Sequence, residues 1–315
     1  MRSPPFASAY VHYTERLSRY VYDLSRVMTL ADVSDLTWLG WDTVKGIVQK
    51  HLQRDYGRPS LKTLKYLAVD EIYVGKRKKF YTLVLDLETG RIVWVGHGRG
   101  QAALGKFWRR LRLSKAKIQA VAMDMSGAYW TAVLEHLPGA AVVFDRFHIM
   151  KLMNEKLDEL RRVLVREATG VMRQTIKGTR YLLLTRAANL EKEKLPKLED
   201  ALKLNEPLSQ AYYLKEELSL LWEQPSRAAM EDFLRQWCTR ATDTGIGLLR
   251  QIAKTLLLHA SGILNWWDHR LSTGKMEGIN NKIRTLTRRA YGYRDEAFFI
   301  LKLLSLHHAK IELVG

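Results

Sequence analysis

The chain has 315 residues, 47% of them apolar, which is enough to bury a core and build two or three folded parts rather than a disordered tail. Its 51 Lys and Arg against 33 Asp and Glu leave a formal charge of +18, which draws polyanions, nucleic acid foremost, to the surface. No apolar run approaches the roughly 20 residues of a membrane-spanning helix and no apolar signal core follows the first residues, so a cytoplasmic protein is expected. The single cysteine, Cys238, excludes an internal disulfide and a zinc knuckle built from cysteine pairs, and reads as a small buried apolar residue.

The helical spacing of Leu17, Tyr20, Val21, Leu24 and Val27 predicts one amphipathic helix over 10–28. A shorter helix is expected over 30–36. Asp42 is placed to cap a third, with Val44, Ile47, Val48 and Leu52 on its inner face. Two short helices joined by a Gly-containing turn fit a helix-turn-helix or a plain three-helix bundle; the basic chain favours the former, with Lys45 and Lys50 as candidate DNA contacts. Residues 1–58 are therefore read as a small helical DNA-binding domain, closed by the linker Gly57-Arg58-Pro59-Ser60.

Beyond it the period turns extended. Strands are predicted over 66–74, 80–85 and 91–95, the last two joined by the turn Leu87-Glu88-Thr89-Gly90. A helix over 101–113, a strand over 118–123, a helix over 128–137 and a strand over 141–144 follow. The order βββαβαβ is the core order of ribonuclease H-like domains. The expected fold class is α/β: a mixed sheet begun by residues 59–148, a long all-helical insertion over 149–268, and a helical C-terminal part of the same domain over 269–315. Leu152, Leu157, Leu160 and Leu164 give the insertion its helical spacing.

Asp70 follows the apolar run Leu67-Ala68-Val69 and Asp124 follows Val121-Ala122-Met123, so both carboxylates are expected at the edge of the sheet. Convergent carboxylates suit a hard divalent cation, Mg²⁺ or Mn²⁺, and a pair of ions serves both the attacking and the leaving oxygen of a phosphodiester. Each aspartate alone reads more readily as a turn or a cap. A later helix places Glu277, Asn281, Arg284 and Arg288 on one face, an acid followed by amide and guanidinium groups suited to phosphate, although a surface helix with spaced charges has the same pattern.

Five segments in order resemble the signature of bacterial insertion-sequence transposases of the ISL-three family. They are Val69-Asp70-Glu71, Met123-Asp124-Met125-Ser126-Gly127-Ala128-Tyr129, Phe144-Asp145-Arg146-Phe147-His148, Glu277-Gly278-Ile279-Asn280-Asn281-Lys282 and Arg289-Ala290-Tyr291-Gly292-Tyr293. The resemblance implies a DDE-type transposase with Asp70, Asp124 and Glu277 as its metal-holding catalytic triad. It further implies two Mg²⁺ or Mn²⁺ ions, double-stranded DNA (element ends and target) as partner, and a homodimer or higher oligomer on that DNA. Glu71 and Asp145 compete as acids, but strand alternation turns Glu71 away from the face of Asp70. His148, with Asp145 and Asn281, would support the site or merely brace it.

Lys76, Arg77, Lys78 and Lys79 in the first hairpin loop, and Lys282, Arg284, Arg288 and Arg289 on the late helix, are further candidates for phosphate contact. Lys106, Arg109, Arg110, Arg112, Lys115 and Lys117 form another basic cluster, equally consistent with a solvated surface. Trp266 and Trp267 read as core anchors rather than as a stacking platform for bases. Members of the family commonly carry a cysteine-bearing zinc module ahead of the helix-turn-helix, and none is expected in residues 1–58. Two other readings share these features: a catalytically inactive DNA-binding repressor and a structure-specific nuclease of the same fold.

Overall fold

Thr14 opens the first helix, α1 (Glu15–Leu24), by accepting the backbone N–H of Leu17 on its side chain. In the computed structural model, which describes residues 12–74, 79–271 and 274–308, this helix is shorter than the 10–28 expected. Ser25 ends it, sending its N–H to Val21 O and its hydroxyl to Tyr22 O. A capping box between Thr29 and Asp32 starts α2 (Leu30–Thr37), and the left-handed Trp38 (φ 56°) stops it. Gly40, not Asp42, is the N-cap of α3 (Trp41–Tyr56); Asp42 lies inside the first turn, where its charge still favours the helix dipole.

The chain divides into two compact units, Met1–Val121 with Gly127–Ala140 and Thr273–Gly315, and Ala122–Ser126 with Ala141–Ser272. A five-stranded sheet has the order β3-β2-β1-β4-β5, with β1 (Tyr66–Val74), β2 (Lys79–Asp86), β3 (Ile92–His97), β4 (Ala120–Met123) and β5 (Ala141–Phe144). The first three strands form an antiparallel meander, as the sequence predicts. Asp86 builds the turn between β2 and β3, accepting from Glu88 N and the Thr89 hydroxyl, and Gly90 takes the positive φ of 75°. Between β3 and β4 a 3₁₀ turn (Gln101–Leu104) leads into α4 (Gly105–Ser114), and α5 (Gly127–His136) connects β4 to β5.

Within the first unit, α1, α2 and α3 share one core with α15 (Glu296–Leu304): Val21, Val33, Val44, Ile47, Val48 and Leu52 pack with Phe298 and Leu301. The inner face predicted for α3 is the observed one. Lys45 lies on the covered side, its ammonium 2.7 Å from Asp295 and over the rings of Trp41 and Phe298, so it is a packing contact rather than a free DNA contact.

The second unit is helical apart from its strands. It contains α6 (Arg146–Glu167), α7 (Gly170–Lys177), α8 (Arg180–Leu184), α9 (Leu195–Leu204), α10 (Glu206–Leu218), α11 (Arg227–Asp243), α12 (Gly247–Leu258) and α13 (Ala260–His269). Helix α13 lies on β5 at Gly262, where a Cβ would come within 2.5 Å of the Phe144 ring; only a glycine allows that approach. The Asn265 amide donates to Val142 O beside it. Cys238 is buried, as expected, and burial pushes its thiol up to about 11. Trp266 and Trp267 are half-buried rather than core anchors: the Arg270 guanidinium covers both rings, at 4.6 and 3.7 Å from their centroids. Among the described residues no helix is long and apolar enough to cross a membrane.

Candidate active site

Asp70 does not end a strand. It stands in the middle of β1, opposite Leu83, because Ile72 continues the buried pattern past it. Its Oδ1 accepts the N–H of Glu71 at 2.8 Å, and its Oδ2 accepts the side-chain amide of Asn280 at 2.7 Å. Asn280 belongs to α14 (Gly274–Arg289), so this bond ties to β1 the helix that carries Glu277 one turn earlier. Lys275 holds the start of that helix, donating to Leu87 O and Glu88 O at 2.7 and 2.8 Å. Met276, Ile279 and Ile283 form its buried stripe, and Glu277 is exposed.

The amide that meets Asp70 is therefore that of Asn280, while the oxygen of Asn281 accepts from Arg284 at 3.1 Å. Both i+3 and i+4 neighbours share a helix face with Glu277, so the spacing alone admitted either. The other amide atom, Asn280 Oδ1, is buried and has no hydrogen-bond partner among the described residues. An orphaned acceptor oxygen beside a carboxylate is costly unless a cation or its water completes it.

Glu71 faces elsewhere, as strand alternation predicts. The Tyr129 hydroxyl donates to its Oε1 at 2.6 Å, lies 2.8 Å from Thr82 Oγ1 and accepts the Gly100 N–H at 2.9 Å. Burial, and then the Glu71 carboxylate, push this phenol up to about 12. Glu71 is thus a structural acid in a buried network. Thr82 left no sequence signal, and Tyr129 stood in the second signature segment without its role being legible, because their partners lie far apart in the chain.

In the second unit Asp124 directly follows β4 and accepts the N–H of Ser126 on Oδ1 at 3.1 Å. Asp145 donates its own N–H to Met123 O and caps α6 by accepting the N–H of Phe147. The His148 ring nitrogen Nδ1 lies 3.2 Å from Asp145 Oδ2, so the Asp-x-x-His pair meets across the first turn of that helix.

Among the described residues no three His, Cys, Asp or Glu side chains are gathered as a metal cluster. The donors of the three predicted acids are all oxygens, the chemistry Mg²⁺ and Mn²⁺ prefer, and the orphaned Asn280 oxygen beside Asp70 adds another of the same kind.

Of the predicted DNA contacts, Lys50, Arg284 and Arg288 are exposed and Lys282 is half-buried. Arg289 donates to Val27 O at 3.0 Å. Lys79 pairs with Glu296, whose carboxyl is held below its usual range chiefly by that lysine, so it is engaged within the fold. Lys76, Arg77 and Lys78 lie outside the described residues. In the α4 cluster Arg110 is a structural residue, donating to Pro59 O at 2.8 Å.

A family model described as "Transposase" matches residues 67–303, and one described as "Helix-turn-helix domain of transposase family ISL3" matches residues 2–52. The chain belongs to the ISL3 family of transposases. It is a DNA transposase, a DDE-type enzyme with a helix-turn-helix domain. The transposase is 34% identical to the transposase for insertion sequence element IS1001 of Bordetella parapertussis, over 93% of this chain and 73% of that one. It is 28% identical to the transposase for insertion sequence element IS1557 of Mycobacterium tuberculosis, over 96% of this chain and 74% of that one. Among solved structures, the Drosophila P element transposase strand transfer complex is similar at a TM-score of 0.48 and 10% identity, over 95% of this chain and 93% of that one.

Proposed function

We propose that the transposase uses Asp70, Asp124 and Glu277 on a ribonuclease H-like sheet to cut DNA at the ends of an insertion sequence and to join the freed end to target DNA. The bond from Asn280 to Asp70 carries this reading, because it seats the helix of Glu277 on the strand of Asp70. The positions of β1 and β4 as neighbours in the strand order support the inclusion of Asp124. When bound, Mg²⁺ or Mn²⁺ ions supply Lewis acidity at the attacking and leaving oxygens.

In the first step water attacks the phosphorus at the element end. A new P–O bond forms, the P–O3′ bond breaks, and the element keeps a 3′-hydroxyl while the flank keeps the 5′-phosphate. In the second step that 3′-hydroxyl attacks a target phosphodiester; the target 3′-oxygen leaves and takes up a proton. Arg284 and Arg288, exposed on α14, are placed to neutralise the phosphates of the bound strand. Joining two ends calls for two copies of the chain, so the active species is proposed as a homodimer or higher oligomer on DNA.

The test uses oligonucleotides bearing the element's end. Asp70→Asn, Asp124→Asn and Glu277→Gln should each abolish Mg²⁺-dependent cleavage while binding persists. Retained cleavage in any one of them removes that residue from the triad.

A further inference from the structure

Gly46 stands in the interior of α3, exposed, and a Cβ built on it meets no atom of the described residues within 4 Å. Glycine in a helix interior is destabilising relative to alanine, and no contact among the described residues requires it at this position. The contrast is Gly262, which is also interior to a helix but closes on the Phe144 ring. Among the described residues, then, no packing contact accounts for Gly46.

We propose that Gly46 is the point of closest approach between α3 and the floor or wall of the DNA major groove. The proposal rests on reading α3 as the DNA-facing helix of the helix-turn-helix. Residues three, four and seven places away fall on the same face as Gly46: Thr43 before it, and Gln49, Lys50 and Gln53 after it. Thr43, Lys50 and Gln53 are exposed and Gln49 is half-buried, so the stripe is free of the core that Val44, Ile47, Val48 and Leu52 make on the other side. Its chemistry suits base edges: glutamine amides pair with adenine, lysine with guanine, and the threonine methyl with thymine. The occupant is duplex DNA, drawn by the chain's charge of +18. A methyl at position 46 would hold that stripe away from the bases, whereas a glycine lets the short Thr43 reach as far as its longer neighbours.

The experiment uses the full chain. A randomised duplex pool is selected on the unmodified protein, and affinities for the enriched duplex and for a scrambled one are measured for Gly46→Ala, Gly46→Leu and Gln53→Ala. Gly46→Ala should raise Tm by about 2 °C, as an open helical site predicts, yet weaken the enriched duplex by about tenfold with little change for the scrambled one. Gly46→Leu should weaken it further while remaining folded. If Gln53→Ala loses specificity and both Gly46 variants keep it, α3 is the reader and the glycine proposal is overturned. If none of the three changes specificity, or the pool shows no enrichment, the reading of α3 fails and the proposal with it.

Discussion

Asn280 donates its amide to Asp70 Oδ2 at 2.7 Å, although 210 residues separate them in the chain. The bond orients the carboxylate and fixes the register of α14 on β1, and so the height at which Glu277 is presented. Asn280→Leu should lower Mn²⁺ affinity and cleavage by about 10- to 100-fold, the usual effect of removing a group that orients a metal ligand. Titration calorimetry with Mn²⁺ and a single-turnover cleavage assay check this. Unchanged Mn²⁺ affinity would leave Asn280 as a packing residue only.

Tyr129→Phe deletes a hydroxyl that meets Glu71, Thr82 and Gly100 together. The Glu71 carboxylate would lose its neutral donor. A loss of about 1–3 kcal/mol of stability is expected, read by urea denaturation. In the Glu71→Gln background the same change should cost measurably less, since the two residues form one network. Equal costs in both backgrounds would dissolve the network.

The half-buried ammonium of Lys302 lies 3.4 Å from Ser25 O, and burial, with Arg289 nearby, brings its pKa down to about 8. Below pH 8 folded and unfolded chains both hold the proton, so the cost of burying the charge is borne in full. Between pH 8 and the ordinary lysine value the unfolded chain holds more protons, and stability rises with pH. Lys302→Met should therefore be more stable than the parent at pH 7, by about 1–3 kcal/mol, with the gap closing toward pH 10. Denaturation curves at pH 7, 8.5 and 10 decide it; a constant gap contradicts the assignment.

Lys215 is buried in the helical unit, donating to Leu183 O and Thr185 O at 2.9 Å each and pairing with Glu216 at 2.5 Å. It joins α10 to the end of α8. Lys215→Met strands two carbonyls and a carboxylate, so a loss of about 3 kcal/mol is expected by chemical denaturation. A loss below about 0.5 kcal/mol would show that water replaces the ammonium freely.

The parts of the fold that repeat a short period were legible in the sequence. The β1 bounds, the antiparallel meander and the inner face of α3 follow from alternation or helical spacing, which local residues alone set. Asp124 was placed correctly because a strand stops at it, whereas Asp70, expected at the edge of the sheet because an apolar run precedes it, stands in the middle of β1, where the buried pattern resumes at Ile72. What stayed hidden were pairings between distant segments. Lys45 with Asp295 and Lys79 with Glu296 each look like a free cation until the partner helix is in place. Choosing Asn280 over Asn281 likewise needed the rotation of α14 about its axis, which buried Ile279 and Ile283 set only once the strand they meet is known.

The contact of Gly262 with Phe144 ties the helical unit's tolerance for change to the chemistry. Phe144 precedes Asp145, whose N–H holds Met123, the residue before Asp124. An alanine at 262 would have to push β5 aside, and the displacement would travel through the pairing of β5 with β4 and the Asp145–Met123 bond to a candidate catalytic carboxylate. Drift in the helical block is therefore screened at this position by DNA cleavage as well as by folding, and a Gly262→Ala chain that still melts cooperatively should already cut poorly.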